Sequence, residues 1–509
     1  MRLVNLCTLI GKVLTSCVVP YSLVAIVGLI VIVRMDTGLA DNGDFTRAAI
    51  VFTSRPVDIY PNWPDAYSNA ELWQRRFFNF YIPWWRLDFP QPLMANPFKS
   101  SSYILWFPGV AINMLFWSQD VLSISIMSIP ARILLIVIYI VLIKYIRHNY
   151  EGIRHLILLF AAAVPAALIL TSYSLYLNSF YFESGGLIFG LLFAVSVGWF
   201  ALSVRRKWLV KGISLSLVLT SATLIATAKV QWIYMPVLSL VALVVAWRRE
   251  HSALRVLAVV PLLTAAVALS VGSYLAVRPP DETLEINAYH RVFYGVLILS
   301  SRSQDQLVAL EMADAAGCVG VSAFAASGPE CVGRTRGRFT LGTVIRIIAQ
   351  EPGLLVRMLE AAADRMHVVK PPYLGTLRRD DPRITFGAGT GLLTVEDFWP
   401  RLKLLFPRGS ALFVWVVACG LICYLVASRG SGPVAAIALA GVVSALATLV
   451  DMFMAIIGDG LYELEKHLFM ANLMFDITTI CTVVLVLIYL CDAVSAAHRW
   501  MLQQTRPWL

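Results

Sequence analysis

The sequence predicts an all-α polytopic membrane protein: about ten transmembrane helices and two large outer loops bearing interfacial helices. Three observations carry that reading. Of 509 residues, 59% are hydrophobic. Only 14% are Asp, Glu, Lys or Arg, against roughly 25% in ordinary soluble domains. Apolar runs close to the ~20 residues that one helical crossing needs recur from end to end. A soluble globule, a disordered chain and a fibrous array are excluded together. The net charge of +10 fits a membrane protein, where Lys and Arg set orientation and meet anionic headgroups. The lipid bilayer is therefore an expected partner and nucleic acid is not.

Spans are expected near 15–33, 122–143, 156–172, 185–203, 210–227, 232–247, 256–277, 409–427, 433–456 and 468–491. The first reads as an uncleaved span, because no small-residue cleavage site precedes Arg34 and Asp36. Segments on the N-terminal side of the membrane hold 15 Lys and Arg, whereas the short opposite connections hold only Lys229 and Lys466. That imbalance places both termini in the cytoplasm, and segments 34–121 and 278–408 on the outer face. Three units follow: 1–277 with seven spans and the first loop, 278–408 as the large outer loop, and 409–509 with three spans and a tail.

Within the first loop, 103–118 is apolar but short and contains Pro108 and Gly109, as an interfacial or re-entrant helix would. In the second, apolar residues at helical spacing over 342–367 are interleaved with Arg346, Arg357 and Arg365, and predict two amphipathic helices broken at Pro352. They suit a self-packed subdomain and a basic surface against headgroups equally. Cys318 and Cys331 share this loop, and an oxidising outer compartment makes them a disulfide candidate.

Polar clusters gather at the outer ends of spans. Asp41, Asp44 and Arg47 follow the first span with Gly38 and Gly43 between and beside them. They offer a base for a hydroxyl and a cation for a phosphate, although an acidic helix cap needs the same residue types. Asn178 and Glu183 stand amid aromatics, where a low dielectric raises a carboxyl pKa. Lys229 and Gln231 sit where two spans meet; Lys229 is either a snorkelling side chain or a point charge for a lipid-linked phosphate. The stretch 458–472 packs Asp459, Glu463, Glu465, Lys466 and His467 into one short turn. Asp41 and Asp44 offer oxygen ligands for a divalent cation such as Mg or Mn, but two acids are too few to define a metal site.

Six strings in order, at 41–47, 177–183, 226–231, 293–297, 372–375 and 458–469, resemble a bacterial family of membrane hexosyltransferases of glycan assembly. The resemblance implies the GT-C architecture and a polyprenyl-phosphate sugar donor, with a glycan or lipid-linked acceptor. It makes Asp44 the catalytic base, with Asp41 second. Arg47, Lys229, Lys466 and His467 would hold the donor phosphate. Glu183, Asn178, Gln231, Asp459, Glu463 and Tyr373 would bind sugar or acceptor. One departure stands out: Phe182 precedes Glu183 where the family pattern has glycine.

Two other functions fit a chain of this kind. A polysaccharide polymerase or ligase would consume a lipid pyrophosphate-linked donor. A lipid-linked sugar transporter would need ionisable groups near the bilayer midplane, and Arg132 and Asp451 are the main candidates for that.

Overall fold

The computed structural model describes Gly28 and residues 37–57, 80–149, 173–204, 206–247, 254–378 and 395–505. The expected spans 15–33 (Gly28 apart) and 156–172, and both chain termini, lie outside these residues. Within them six helices are long and apolar enough to cross a membrane: Glu183–Ser203, Trp208–Ala228, Val260–Val277, Ser410–Arg429, Gly432–Asp459 and Phe469–Ala497. Each overlaps an expected span. Gly432–Asp459 is the hub, packing on Glu183–Ser203, Ser410–Arg429 and the last helix. Close approach needs small residues there, and a side chain on Gly441 would collide with Cys423 Sγ.

Two expected spans differ in the structure. Residues 122–143 do not form one helix: Val121–Ser123 is a strand, Ile124–Met127 a short helical turn, and the long helix is Ile129–Asn149. The reason is backbone pairing, since β1 (Thr53–Pro56), β2 (Trp84–Leu87) and β3 (Val121–Ser123) form an antiparallel sheet in that order. Asn113 locks its edge, donating to the Val121 carbonyl at 2.8 Å and accepting from Ser123 N at 2.9 Å. The all-α expectation is corrected by this small sheet. Arg132 consequently lies in the first turn of its helix, not midway along a span. Residues 232–247 shorten to a helix at Met235–Trp247 after a 3-10 turn at Val230–Trp232. Thirteen residues rise only ~20 Å, less than the ~30 Å hydrocarbon core.

Residues 103–118 form the helix Tyr103–Phe116, which holds Pro108. The two amphipathic helices stand at α1 (Leu341–Gln350) and α2 (Gly353–Ala363), divided at Pro352. Helix α2 lies against the ends of two candidate spans: Leu354, Met358 and Ala362 share a core with Leu412, Val416, Met452 and Ile456. Cys318 and Cys331 are joined by a disulfide inside the same core. A second core gathers aromatics of the first loop, among them Phe45, Trp85 and Trp106, onto Phe180 and Tyr181 and the spans.

A wholly buried ion pair ties the end of the second loop to the last helix. Lys403 Nζ lies 2.9 Å from Asp476 Oδ1 and donates to Asn472 Oδ1 at 2.7 Å. Trp399 Nε1 and the Tyr173 hydroxyl donate to Asp476 Oδ2 at 3.0 and 2.8 Å. Removing one member of such a pair strands the other charge, at a cost of about 3–5 kcal/mol. Lys403→Met should lose that much in denaturant unfolding in detergent. Adding Asp476→Asn, which keeps an acceptor for Trp399 and Tyr173, should restore most of it; no recovery in the double variant would refute the buried-charge account.

Candidate functional site

The site starts from the loop at residues 37–47. Asp41 is buried, and its Oδ1 accepts from the backbone N–H of Gly43 at 2.6 Å and of Phe45 at 3.1 Å, capping the short helix Phe45–Ala49. Gly43 takes a φ of 99° inside this turn. Asp44 points the other way, with a quarter of its side chain exposed; it meets Arg47 Nη1 at 2.8 Å through Oδ1 and Lys466 Nζ through Oδ2. Asn42 donates Nδ2 to both Glu463 oxygens, at 3.0 and 2.8 Å. Strand-like backbone bonds bring residues 375–377 alongside: Ala40 N donates to the Gly375 carbonyl at 2.9 Å and Tyr81 N to that of Leu377 at 3.0 Å.

The opposite wall is the turn after Gly432–Asp459. Gly460 has φ 64°, and a Cβ there would strike the His290 carbonyl at 2.4 Å, so the turn is closed against the π-helical segment Val292–Val296. Leu461 N donates to the Tyr294 carbonyl at 2.9 Å. Glu463 adopts φ 46°, which aims its carboxylate at Asn42 and at Lys466 Nζ, 3.3 Å away. Lys466 is buried, and its ammonium lies over the Tyr181 ring at 5.1 Å. Burial pushes Glu463 up to about 7 against hydrogen bonds from Asn42 and Tyr373. Burial also pushes Lys466 down to about 7, with Asp41 opposing.

Two further clusters adjoin. Lys229 Nζ meets Glu183 Oε1 at 2.7 Å, with both side chains largely buried. Glu183 opens its helix, and Phe182, in place of the family's glycine, stacks on Trp106 with ring centres 6.0 Å apart. Asp459 lies between two histidines, 2.7 Å from His290 Nδ1 and 3.4 Å from His467 Nε2. Gln231 bonds His467 and Asp451. Burial first, then the charge of Lys229, depresses the His467 pKa and favours its neutral ring.

Asp44, Arg47, Glu463 and Lys466 thus meet in one cluster, and Tyr373 acts on Glu463 beside it. Lys229 with Glu183, and Asp459 with His467 and Gln231, form its neighbours; Lys229 acts electrostatically on Glu463 and His467. Asn178 is placed beneath, its carbonyl oxygen accepting from Arg132 at 2.8 Å and its amide donating to the Thr37 carbonyl at 2.5 Å. The Cys318–Cys331 disulfide belongs to the core that the second long loop shares with the helix ends. Sequence reasoning missed Asn42, Tyr181 and His290. Asn42 stood inside the Asp41–Asp44 string, but His290 carried no signal beyond its nearness to 293–297. Among the described residues no three His, Cys, Asp or Glu side chains group to hold a metal ion. Asp41 is taken up in capping and Asp44 in ion pairs, so these two do not fit a divalent cation.

The titrations set a sign for stability against pH. Glu463, raised above its ordinary 4.5, keeps its proton longer in the folded state; its contribution is full below about 4.5 and is lost as pH rises through about 7. The Tm difference between wild type and Glu463→Gln should therefore fall over that window. A difference that grows with pH there would contradict the assignment.

No curated protein and no solved structure matches the chain. Residues 7–498 match the family model of the YfdI N-terminal transmembrane domain, and the chain, with its membrane-spanning helices, belongs to that family.

Proposed function

We propose that this protein is an inverting membrane glycosyltransferase of GT-C type, moving a hexose from a polyprenyl-phosphate donor to a glycan or lipid-linked acceptor at the outer face of a bacterial inner membrane. One observation carries the reading: the six strings that resemble the hexosyltransferases, separated by up to some 400 residues, converge on one cluster. Asn42 reaches Glu463, Asp44 reaches Lys466, Glu183 reaches Lys229, and residues 293–297 and 372–375 pack on the turns that hold them.

Asp44 is the base in this scheme, as the cluster's most exposed carboxylate. It takes the acceptor hydroxyl's proton as the oxygen's electron pair attacks the anomeric carbon. The bond from that carbon to the phosphate oxygen breaks, its electrons leave with polyprenyl phosphate, and the configuration inverts. Arg47, Lys229 and Lys466 stabilise the departing phosphate. Asp41 acts through the turn it caps, as a positioning residue. Glu183, Glu463 and Tyr373 orient sugar or acceptor. Ten spans, cytoplasmic termini and an outer site belong to the same scheme, resting on the 15 to 2 charge imbalance.

Transport loses the support it had in the sequence. Arg132 stands in a first helical turn and holds Asn178, and Asp451 is bonded to Gln231, Tyr234 and the Ala471 N–H. Asp44→Asn should lower release of polyprenyl phosphate from a labelled polyprenyl-phosphate hexose, assayed with a crude glycan acceptor, by about 10²–10⁴-fold with folding intact. Wild-type release matched by the variant would remove Asp44 as base. Turnover of a lipid pyrophosphate-linked donor instead would move the protein to the polymerases and ligases.

A further inference from the structure

Hydrogen-bond accounting around His467 fixes the chemistry of its ring. Gln231 Nε2 donates to the His467 carbonyl oxygen at 2.7 Å, a group that can only accept, and to Asp451 Oδ1 at 3.2 Å. The amide therefore turns its oxygen toward His467 Nδ1, 3.1 Å away, and that nitrogen must carry the hydrogen. Asp451 is itself held, accepting from the Tyr234 hydroxyl at 3.0 Å and Ala471 N at 2.8 Å. A neutral ring so oriented leaves Nε2 as a bare lone pair.

That lone pair faces Asp459 Oδ2 at 3.4 Å. Asp459 cannot turn its other oxygen to relieve the contact. His290 Nε2 accepts from Ala323 N at 2.9 Å, so His290 Nδ1 is the donor to Asp459 Oδ1 at 2.7 Å. With the ring neutral, two acceptors thus stand side by side, 3.4 Å apart. Neither is sealed off, since the two side chains retain 16% and 12% exposure. The charged groups around them are Lys229 and Lys466 toward His467, and Arg47, Arg291 and Glu463 toward Asp459. Burial first, and then the two lysines, favour the neutral ring against the pull of Asp459, and the neutral ring leaves the gap without a proton of its own. Paired acceptors at this spacing suit a ligand with two adjacent O–H donors.

We propose that Asp459 Oδ2 and His467 Nε2 form an acceptor pair that binds adjacent hydroxyls of a hexose, with Gln231 the positioning residue that dictates which ring nitrogen accepts. The inference rests on the glycosyltransferase reading for its substrate class. It takes His467 out of the set of phosphate-binding cations and makes it a reader of sugar.

Histidine-selective ¹⁵N labelling of the full-length protein in detergent tests it without any donor, His467→Gln identifying the resonances. In the wild type at neutral pH, Nδ1 should carry hydrogen and Nε2 should not. Glucose, galactose and mannose, each added to high concentration, are the probes; at least one should perturb Nε2, and Asp459→Asn should abolish that response. Gln231→Glu places a carboxylate against Nδ1–H, so the ring should protonate about one pH unit or more higher and the hexose response should vanish. Hydrogen on Nε2 of the neutral ring, no response to any of the three sugars, or a response that survives both variants would overturn the proposal. The expected spectra in a protein that transfers no hexose from polyprenyl phosphate would instead sink the transferase reading and leave the acceptor pair standing.

Discussion

A buried ammonium group dictates much of this architecture. Lys466 sits between Asp44 and Glu463 with almost none of its side chain in solvent. An unpaired charge in that position costs several kcal/mol, so the first long loop must close on the last inter-span turn whenever Lys466 is charged. The contact spans 422 residues of sequence. Asn42 makes the closure specific, because its amide reaches both oxygens of Glu463 and leaves that carboxylate one orientation. Backbone geometry serves the same end: Glu463 is held at positive φ and Gly460 admits the chain past His290.

Polar groups entering this region are compensated in layers. Asp44 and Glu463 flank Lys466, Glu183 meets Lys229, and Asp459 Oδ1 accepts from His290 Nδ1. Beneath them the aromatic rings of Phe45, Trp85, Phe180 and Tyr181 exclude water, and strengthen each pair by lowering the local dielectric. Asp451 links this surface to the helices below. It caps the start of the last helix through the Ala471 N–H while fixing Gln231. One carboxylate thereby sets both a helix position and a tautomer two residues away in the hydrogen-bond chain.

Hydropathy made six of the spans legible because a bilayer tolerates only long apolar helices there, and the amphipathic pair broken at Pro352 followed from its 3.6-residue period. The small sheet was not legible. Its strands have three or four residues, and the Trp84–Trp85 pair reads as an interfacial belt until its partner strands are known. Misplacing the start of the helix at Ile129 followed from the same omission, and with it the position of Arg132. Lys403 and Asp476 were passed over since each looks like an isolated charge beside an apolar run; only the fold shows them as one pair. The candidate site was legible in its acids and bases, and illegible in Asn42 and His290, whose roles exist only through contacts distant in sequence.

The charge held by the site bears on the class of donor. Asp41, Asp44, Glu183, Asp459 and Glu463 face Arg47, Lys229, Lys466 and Arg291 as fixed cations, and neutral His467 adds none. With a proton on Glu463, which burial favours up to about 7, the remaining four carboxylates balance those four cations. Such a site draws no benefit from concentrated negative charge. A phosphodiester, which carries one negative charge, disturbs that balance less than a pyrophosphate carrying two. On the proposed transferase reading, that balance suits a monophosphate-linked sugar better than a pyrophosphate-linked one. The lysines then act chiefly when the bond breaks and a second charge develops on the leaving phosphate. Cations already held by carboxylates are preorganised for that moment, and reorganisation of the site adds little to the barrier.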